Sequence, residues 1–251
     1  MPAAQRAEAD PTFNAAETKA AELSARYGHL DGVELLRPLL RDELAGRVAL
    51  VSSFGTESAV LLALVAEVDP ATPVIFVDTL RLFGETLRYR DALVARLGLT
   101  GLRTAEPDPA ELKAADPDEM LWRTGPDACC HVRKTLPLER ALVPFDAWIT
   151  GRKRFQASTR AALAAIEAAD GKIKINPLAT WTRERITAEF KRRDLPPHPL
   201  EADGFLSIGC LPCTDRVAPG ADPRSGRWAG MDKIECGIHL AHGAGKPNSD
   251  L

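Results

Sequence analysis

The chain has 251 residues, of which 45% are hydrophobic and 27% charged, with a formal net charge of -3 at pH 7; this excludes a disordered or fibrous polymer and offers no overall attraction for nucleic acid. A domain of this length hides roughly 70–75% of its unfolded surface, so a core needs no disulfides to hold it. No run of about 18 apolar residues occurs and Met1–Pro11 has no apolar signal segment, which points to a cytoplasmic chain without a membrane partner, its oligomeric state open to a homo-oligomer.

Residues 13–45 are rich in Ala, Glu, Leu and Arg at helical spacing, with Leu35, Leu36, Leu39 and Leu40 on one stripe, so two helices are predicted there. A strand at Arg47–Ser53 is followed by a helix at Thr56–Val68, and a strand at Pro73–Thr79 by a helix at Glu85–Leu97. The alternation continues with a weaker strand at Leu99–Thr104, a strand at Asp146–Thr150, a helix at Ser158–Ala169 and a strand at Lys172–Asn176. Strand–helix alternation predicts an α/β fold with a mostly parallel sheet flanked by helices, and a ligand outside the carboxyl ends of the strands. From Leu195 onward, prolines at 196, 197, 199, 212, 219 and 223 break any long element, giving a loop-rich tail. The partition is N-terminal helices at 1–46 packing on the core, a nucleotide-binding α/β domain at 47–213, and a mobile C-terminal segment at 214–251.

The junction Ser52-Ser53-Phe54-Gly55-Thr56-Glu57-Ser58 joins a strand to a helix. It presents unpaired N–H groups and the positive end of a helix dipole, which suits an anion. Gly55 would allow a tight turn, and the missing Gly-Lys-Ser/Thr rules out a Walker A loop. The same hydroxyls would equally suit a helix N-cap.

Five cysteines fall in three places: Cys129-Cys130, Cys210 and Cys213 as C-x-x-C, and Cys236 alone. In a reducing compartment, clustered cysteines are ligands or catalysts more often than disulfides. Four thiolates could hold zinc or an iron–sulfur cluster. Zinc needs all four sulfurs around one ion, which is hard for adjacent residues, whereas a [4Fe–4S] cluster gives each thiolate its own iron. Asp127 stands where it could cap a helix entering the site, and Arg133 and Lys134 follow within a helical turn, able to offset thiolate charge. Cys236, near Lys233 and His239, is the odd thiol and a candidate nucleophile, although a free cysteine can equally be buried and inert. Arg224 and Arg227 beside Trp228, and Arg152, Lys153, Arg154 and Arg160 after a strand end, add cations matched to phosphate and sulfate.

The sequence resembles the assimilatory adenylyl-sulfate reductases, the iron–sulfur branch of the phosphoadenylyl-sulfate reductase family. The residues that carry the resemblance are Ser53-Phe54-Gly55-Thr56-Glu57-Ser58, Asp78-Thr79 followed by Leu82-Phe83-Gly84-Glu85-Thr86, Cys129-Cys130-His131-Val132-Arg133-Lys134, Cys210-Leu211-Pro212-Cys213, Arg224-Ser225-Gly226-Arg227-Trp228 and Glu235-Cys236-Gly237-Ile238-His239. It implies an adenine nucleotide α-hydrolase-like fold, a [4Fe–4S] cluster on Cys129, Cys130, Cys210 and Cys213, and Cys236 as the nucleophile that takes the sulfonate of adenylyl sulfate. Thioredoxin or glutaredoxin would then release sulfite. By the same resemblance, Lys134 would bridge cluster and substrate, Arg160, Arg224, Arg227 and His239 would hold the phosphosulfate, and Ser52, Ser53 and Gly55 would line the loop beneath the nucleotide. The chain departs from the family pattern at Leu80-Arg81, where Asp-Thr-Gly is expected, and at Lys153, where Gly-x-Arg-Arg is frequent. Other readings of the same residues are a phosphoadenylyl-sulfate reductase, an ATP pyrophosphatase, and a zinc-stabilised redox-sensing binding module.

Overall fold

The computed structural model describes residues 11–156, 160–231, 233 and 238. The chain order is α1 (Pro11–Tyr27), α2 (Gly32–Pro38), β1 (Val48–Val51), α3 (Ser58–Val68), β2 (Val74–Val77), α4 (Gly84–Leu97), β3 (Leu102–Ala105), α5 (Pro109–Ala115), α6 (Leu121–Thr124), α7 (Pro126–Cys130), α8 (Leu136–Leu142), β4 (Ala147–Ile149), β5 (Ile166–Ala169), β6 (Lys172–Ile175) and α9 (Arg183–Arg192). The strands form one sheet in the order β3-β2-β1-β4-β6-β5. Every neighbouring pair is parallel except β5 and β6. Parallel strands need crossovers that place helices on the sheet faces, so β1 and β4 are apolar nearly throughout. The order reverses at β1, and the crevice outside its carboxyl end is where such sheets take ligands.

One face of the sheet carries the larger core. Leu35, Leu36, Leu39 and Leu40 pack there with Leu50, Ile149 and Ile175 and with α3, whose residues Ala59 to Val65 are all buried. A helix with so little polar surface can only sit inside, between the sheet and its neighbours. Ala20 and Leu23 of α1 join the same core, so the N-terminal helices share one apolar interior with the sheet. The opposite face is smaller: Ala49, Ile75 and Trp148 pack against Leu138 and Leu142 of α8, and Ile238 lies against this cluster.

The helix expected at Ser158–Ala169 is not formed by its second half. Ile166–Ala169 is instead an antiparallel edge strand on β6, with Ala169 opposite Lys172. The reason is the turn: Asp170 and Gly171 both have positive φ, at 54° and 69°, which is the two-residue hairpin geometry that Asp-Gly favours. The short helices between β3 and β4 were not expected, and neither was α9, which buries only Ile186 and relies on the Thr182 hydroxyl accepting from the Arg185 N–H at 3.3 Å. Asp127 does not cap α7: the N-cap is Gly125, Pro126 opens the helix, and Asp127 lies in its first turn.

The segment after α9 is fastened to α4 through His198. Its Nδ1 accepts from the Leu200 N–H at 3.2 Å, so the neutral ring carries its proton on Nε2, 3.2 Å from the Thr86 hydroxyl. Burial lowers the imidazole pKa to about 4. Because the folded value lies below the unfolded 6.5, the stabilisation is complete above pH 6.5 and is lost as pH falls towards 4. Thermal unfolding of the wild type should therefore lose roughly 2 kcal/mol across that window, a figure reduced for solvent screening, while His198→Gln loses much less; parallel stability curves would rule the histidine out as the cause.

The departure at Leu80 has a backbone consequence. Leu80 sits at φ 59°, 52% exposed, with its N–H bonded to Asp78 Oδ1 at 2.9 Å. The turn thus keeps the left-handed conformation that glycine adopts without strain. Leu80→Gly should raise the denaturant midpoint by the equivalent of about 0.5–1 kcal/mol; an unchanged or lower midpoint would show that the leucine is not strained there.

Candidate active site

A cleft of about 290 Å³ opens at the carboxyl ends of the strands, walled by Ser52 after β1, Val77 at the end of β2 and Thr150 after β4. Its lining contains seven lysines and arginines against two acids, Glu57 and Asp222. That excess of positive charge in a concave site favours a multiply anionic ligand.

The floor is the loop between β1 and α3. Its left-handed residue is Phe54, at φ 50°, not Gly55. Phe54 is fully buried and meets Phe76 edge-on at 5.5 Å, which holds the loop in this conformation. A Cβ on Gly55 would meet only ordinary contacts, the nearest being the Ile208 carbonyl oxygen at 3.6 Å. Nor do the hydroxyls cap α3, whose N-cap is Glu57 without a side-chain bond. Ser52 accepts from the Phe54 N–H at 3.2 Å, and Thr56 donates to the Leu206 carbonyl at 3.1 Å.

Glu57 anchors the opposite wall. Its Oε2 accepts from Lys153 Nζ at 2.7 Å and from Gln156 Nε2 at 2.9 Å, and Gln156 Oε1 accepts from Arg160 Nη1 at 2.8 Å. Lys153 is 2% exposed, and burial lowers its ammonium pKa while the Glu57 carboxylate opposes that shift. Lys153 therefore forms an internal ion pair that orders the wall.

Cys129, Cys210 and Cys213 gather near the Lys134 and Arg227 side of this cleft. Thr79 Oγ1 lies 3.2 Å from Cys210 Sγ, Leu82 forms a β-bridge with Cys210, and the Leu211 N–H donates to the Arg81 carbonyl at 2.7 Å. The loop after β2 thereby carries the C-x-x-C segment. Burial raises the Cys129 thiol pKa to about 11; the positive charge of Arg133 opposes this, and proximity to Cys210 and Cys213 adds to it. Burial likewise raises Cys213, with Cys210 adding to the shift and Arg227, Lys134 and Lys233 opposing it. None of Cys129, Cys130, Cys210 and Cys213 is in a disulfide. Among the described residues, no three His, Cys, Asp or Glu groups are arranged to hold a metal ion.

The Arg224–Trp228 segment folds back onto the C-x-x-C. Trp228 donates its N–H to the Cys213 carbonyl at 3.1 Å, Thr214 bridges to Arg227, and the Asp215 N–H reaches the Gly226 carbonyl at 2.7 Å. Gly209 gives the guanidinium room here: a Cβ at that position would stand 2.4 Å from Arg227 Nη2, and the arginine head would have to shift. Lys233 forms an ion pair with Asp127 beside Cys129 and stands 5.6 Å from the Trp228 ring centroid. Ile238 lines the cleft.

Of the anion-site residues expected from sequence, Ser52, Ser53, Gly55, Lys134, Arg160, Arg224 and Arg227 all line this one cleft. Cys236 and His239 lie outside the described residues. Sequence reading missed Glu57 and Gln156 as a wall-ordering pair, although both lay inside segments already noted, and it missed Asp116 entirely. Arg133 bears on Cys129 with its positive charge, and the buried Asp116, whose Oδ2 accepts from its Nη2 at 2.8 Å, offsets part of it.

The phosphoadenosine phosphosulfate reductase domain matches residues 47–216 of the chain. A protein of Mesorhizobium japonicum named adenosine 5'-phosphosulfate reductase is 54% identical over 223 residues, covering 89% of this chain and 88% of its own. A Gloeobacter violaceus protein named phosphoadenosine 5'-phosphosulfate reductase is 44% identical over 199 residues, with coverage of 77% and 82%. Among solved structures, the phosphoadenylyl-sulfate reductase of Candida auris in its phosphate complex aligns with a TM-score of 0.65 at 26% identity, covering 79% of this chain and 96% of that one. With the domain match spanning well over half of its length and relatives this close, the chain belongs to the phosphoadenosine phosphosulfate reductase family.

Proposed function

We propose that the protein reduces adenylyl sulfate to sulfite and AMP in the cytoplasm, as a step of sulfate assimilation that feeds cysteine synthesis. The observation that carries this reading is a shared wall: Lys134 and Arg227 line the anion cleft and also lie within electrostatic reach of Cys213. A phosphosulfate held in the cleft thus sits beside the cysteine set.

In the proposed reaction, the Cys236 thiolate forms a bond to the sulfur of the bound sulfate while the bond from that sulfur to the bridging phosphate oxygen breaks. AMP leaves with the electron pair, and Cys236 carries an S-sulfonate. A dithiol donor, thioredoxin or glutaredoxin, then attacks the Cys236 sulfur and releases sulfite. Its second thiol resolves the mixed disulfide, so the two electrons come from the donor, which leaves oxidised. Arg160, Arg224, Arg227 and His239 would neutralise the phosphosulfate and the charge developing on AMP, and Ser52, Ser53 and Gly55 would lie beneath the nucleotide. In sequence, Cys236 lies between Lys233, which is paired with Asp127, and Ile238, which lines the cleft.

The donor set suits an iron–sulfur group. Four thiols come from two segments that both bond to Thr79, one through Arg133 Nη1 to its carbonyl and the other through Cys210 Sγ at its hydroxyl, and a cluster does not ask adjacent Cys129 and Cys130 to converge on one ion. Cys129, Cys130, Cys210 and Cys213 would hold a [4Fe–4S] cluster, which when bound supplies cross-linking of the two segments and a local charge next to Lys134.

Anaerobic incubation with sulfur-labelled adenylyl sulfate, followed by intact-mass analysis, should show one sulfonate on Cys236. In Cys236→Ser the adduct and sulfite formation should both disappear while AMP still binds; normal sulfite production by this variant would refute the assignment. The relative named for the 3'-phosphorylated substrate keeps a second reading open. Competition between the two nucleotides should give a higher kcat/KM for adenylyl sulfate, and a strong preference for the 3'-phosphate would reverse the substrate assignment.

A further inference from the structure

Arg152 lines the cleft, yet two of its three guanidinium nitrogens are bonded to the sheet behind it. Nε donates to the Thr150 hydroxyl at 3.3 Å, and Nη2 donates to Asn176 Oδ1 at 3.2 Å and to Glu167 Oε1. The side chains of this ion pair are 11% exposed for the arginine and 30% for the acid. Asn176, fully buried, binds the same carboxylate: its Nδ2 donates to Glu167 Oε1 at 3.2 Å, and its Oδ1 accepts from the Thr150 hydroxyl at 2.6 Å. Arg152, Thr150, Asn176 and Glu167 thus close a ring of bonds that joins the ends of β4 and β6 to the edge strand β5.

Glu167 reaches this ring only because residues 166–169 form a strand. Ile166 turns into the larger core, so Glu167 takes the opposite face, across from Lys174 of β6. Lys174 is 2% exposed and its ammonium lies 4.9 Å from the Trp148 ring centroid. Burial lowers the pKa of that ammonium; Arg152 adds to the shift, and Asp170 and Glu167 oppose it. One carboxylate therefore stands between two cations, and among the described residues it is the acid with which Arg152 pairs. The strand order puts this wall on the far side of β1 from the loop after β2 that carries the C-x-x-C.

We propose that Glu167 is a specificity-determining residue: by holding Arg152 against the sheet it withholds one cleft cation from any further phosphate on the sugar, and so sets the preference for adenylyl sulfate over its 3'-phosphorylated form. This rests on the substrate reading given above. A phosphosulfate beside Lys134 and Arg227 leaves the nucleoside to extend across β1 towards the wall of Thr150 and Arg152. An extra phosphate entering there loses water and meets a guanidinium that is already neutralised, so the cleft selects by denying it a partner. Released from Glu167, the same guanidinium would offer the fork that matches phosphate. One charge unmasked about 10 Å from a phosphate, at an effective dielectric near 20, is worth about a tenfold change in affinity.

The test measures kcat/KM of the full chain, purified anaerobically and supplied with reduced thioredoxin, for adenylyl sulfate and for 3'-phosphoadenylyl sulfate. Glu167→Gln keeps an oxygen to accept from Arg152 and Asn176 but removes the charge. It should raise kcat/KM for the 3'-phosphorylated nucleotide about tenfold relative to adenylyl sulfate, chiefly through KM. A purely structural role would lower both values together and could not produce a gain for one nucleotide. Glu167→Asp, which keeps the charge, should hold the wild-type ratio, and in Glu167→Gln/Arg152→Met the gain should vanish. Where Gln at 167 strands too much buried charge for folding, Glu167→Gln/Lys174→Met removes the second cation and carries the same prediction. A ratio left unchanged by loss of the acid, or a gain that survives Arg152→Met, would overturn the proposal. A wild type that itself prefers the 3'-phosphorylated nucleotide would instead overturn the substrate reading, and the proposal with it.

Discussion

Everything that makes this sheet edge a site depends on one seam, where the loop after β2 pairs with the C-x-x-C segment. Leu82 and Cys210 share a β-bridge, the Arg81 carbonyl accepts from Leu211, and the Thr79 hydroxyl meets the Cys210 sulfur. These few bonds bring a region more than 120 residues downstream against the carboxyl end of the strands. The Arg224–Trp228 segment rides on the same seam through its bond to the Cys213 carbonyl, so the cleft wall and the cysteine set are placed by one interaction.

A site with this much positive charge stores repulsion, and the fold contains it by pairing cations internally where a ligand would not neutralise them. Lys153 is buried against Glu57, Arg133 against Asp116, and Arg152 is paired with Glu167 on β5. A buried pair adds little net stability because desolvation offsets most of the attraction, but losing one partner strands a charge in a poor solvent. These pairs therefore fix position more than they add stability, which is what a cleft for phosphate and sulfate requires of its walls.

The loop beneath the nucleotide shows a similar division. Phe54, buried and left-handed, sets the backbone path, and the hydroxyl groups on either side hold the loop to itself and to Leu206. The strain is confined to a residue with a large apolar side chain that the core grips, and Gly55 is left as open space in the lining.

The sequence by itself determined the parallel α/β sheet and the cationic character of the cleft at its carboxyl edge, and by spacing it divides the cysteines into a vicinal pair, a C-x-x-C and a single Cys236. Strand–helix alternation, soft-ligand spacing and charge are local patterns, readable from neighbours in the chain. The helix expected at Ser158–Ala169 failed because a two-residue Asp170-Gly171 turn prevailed over an alanine-rich helical pattern, and the turn finds its partner strand only in the folded sheet. The role of Asp116, the anchoring of Glu57 by Lys153, the approach of Arg227 over Gly209 and the closure of the two cysteine segments on each other were decided by tertiary structure alone. Each is a contact between residues far apart in sequence, made specific by burial, and no local pattern encodes which distant partner a buried charge will meet.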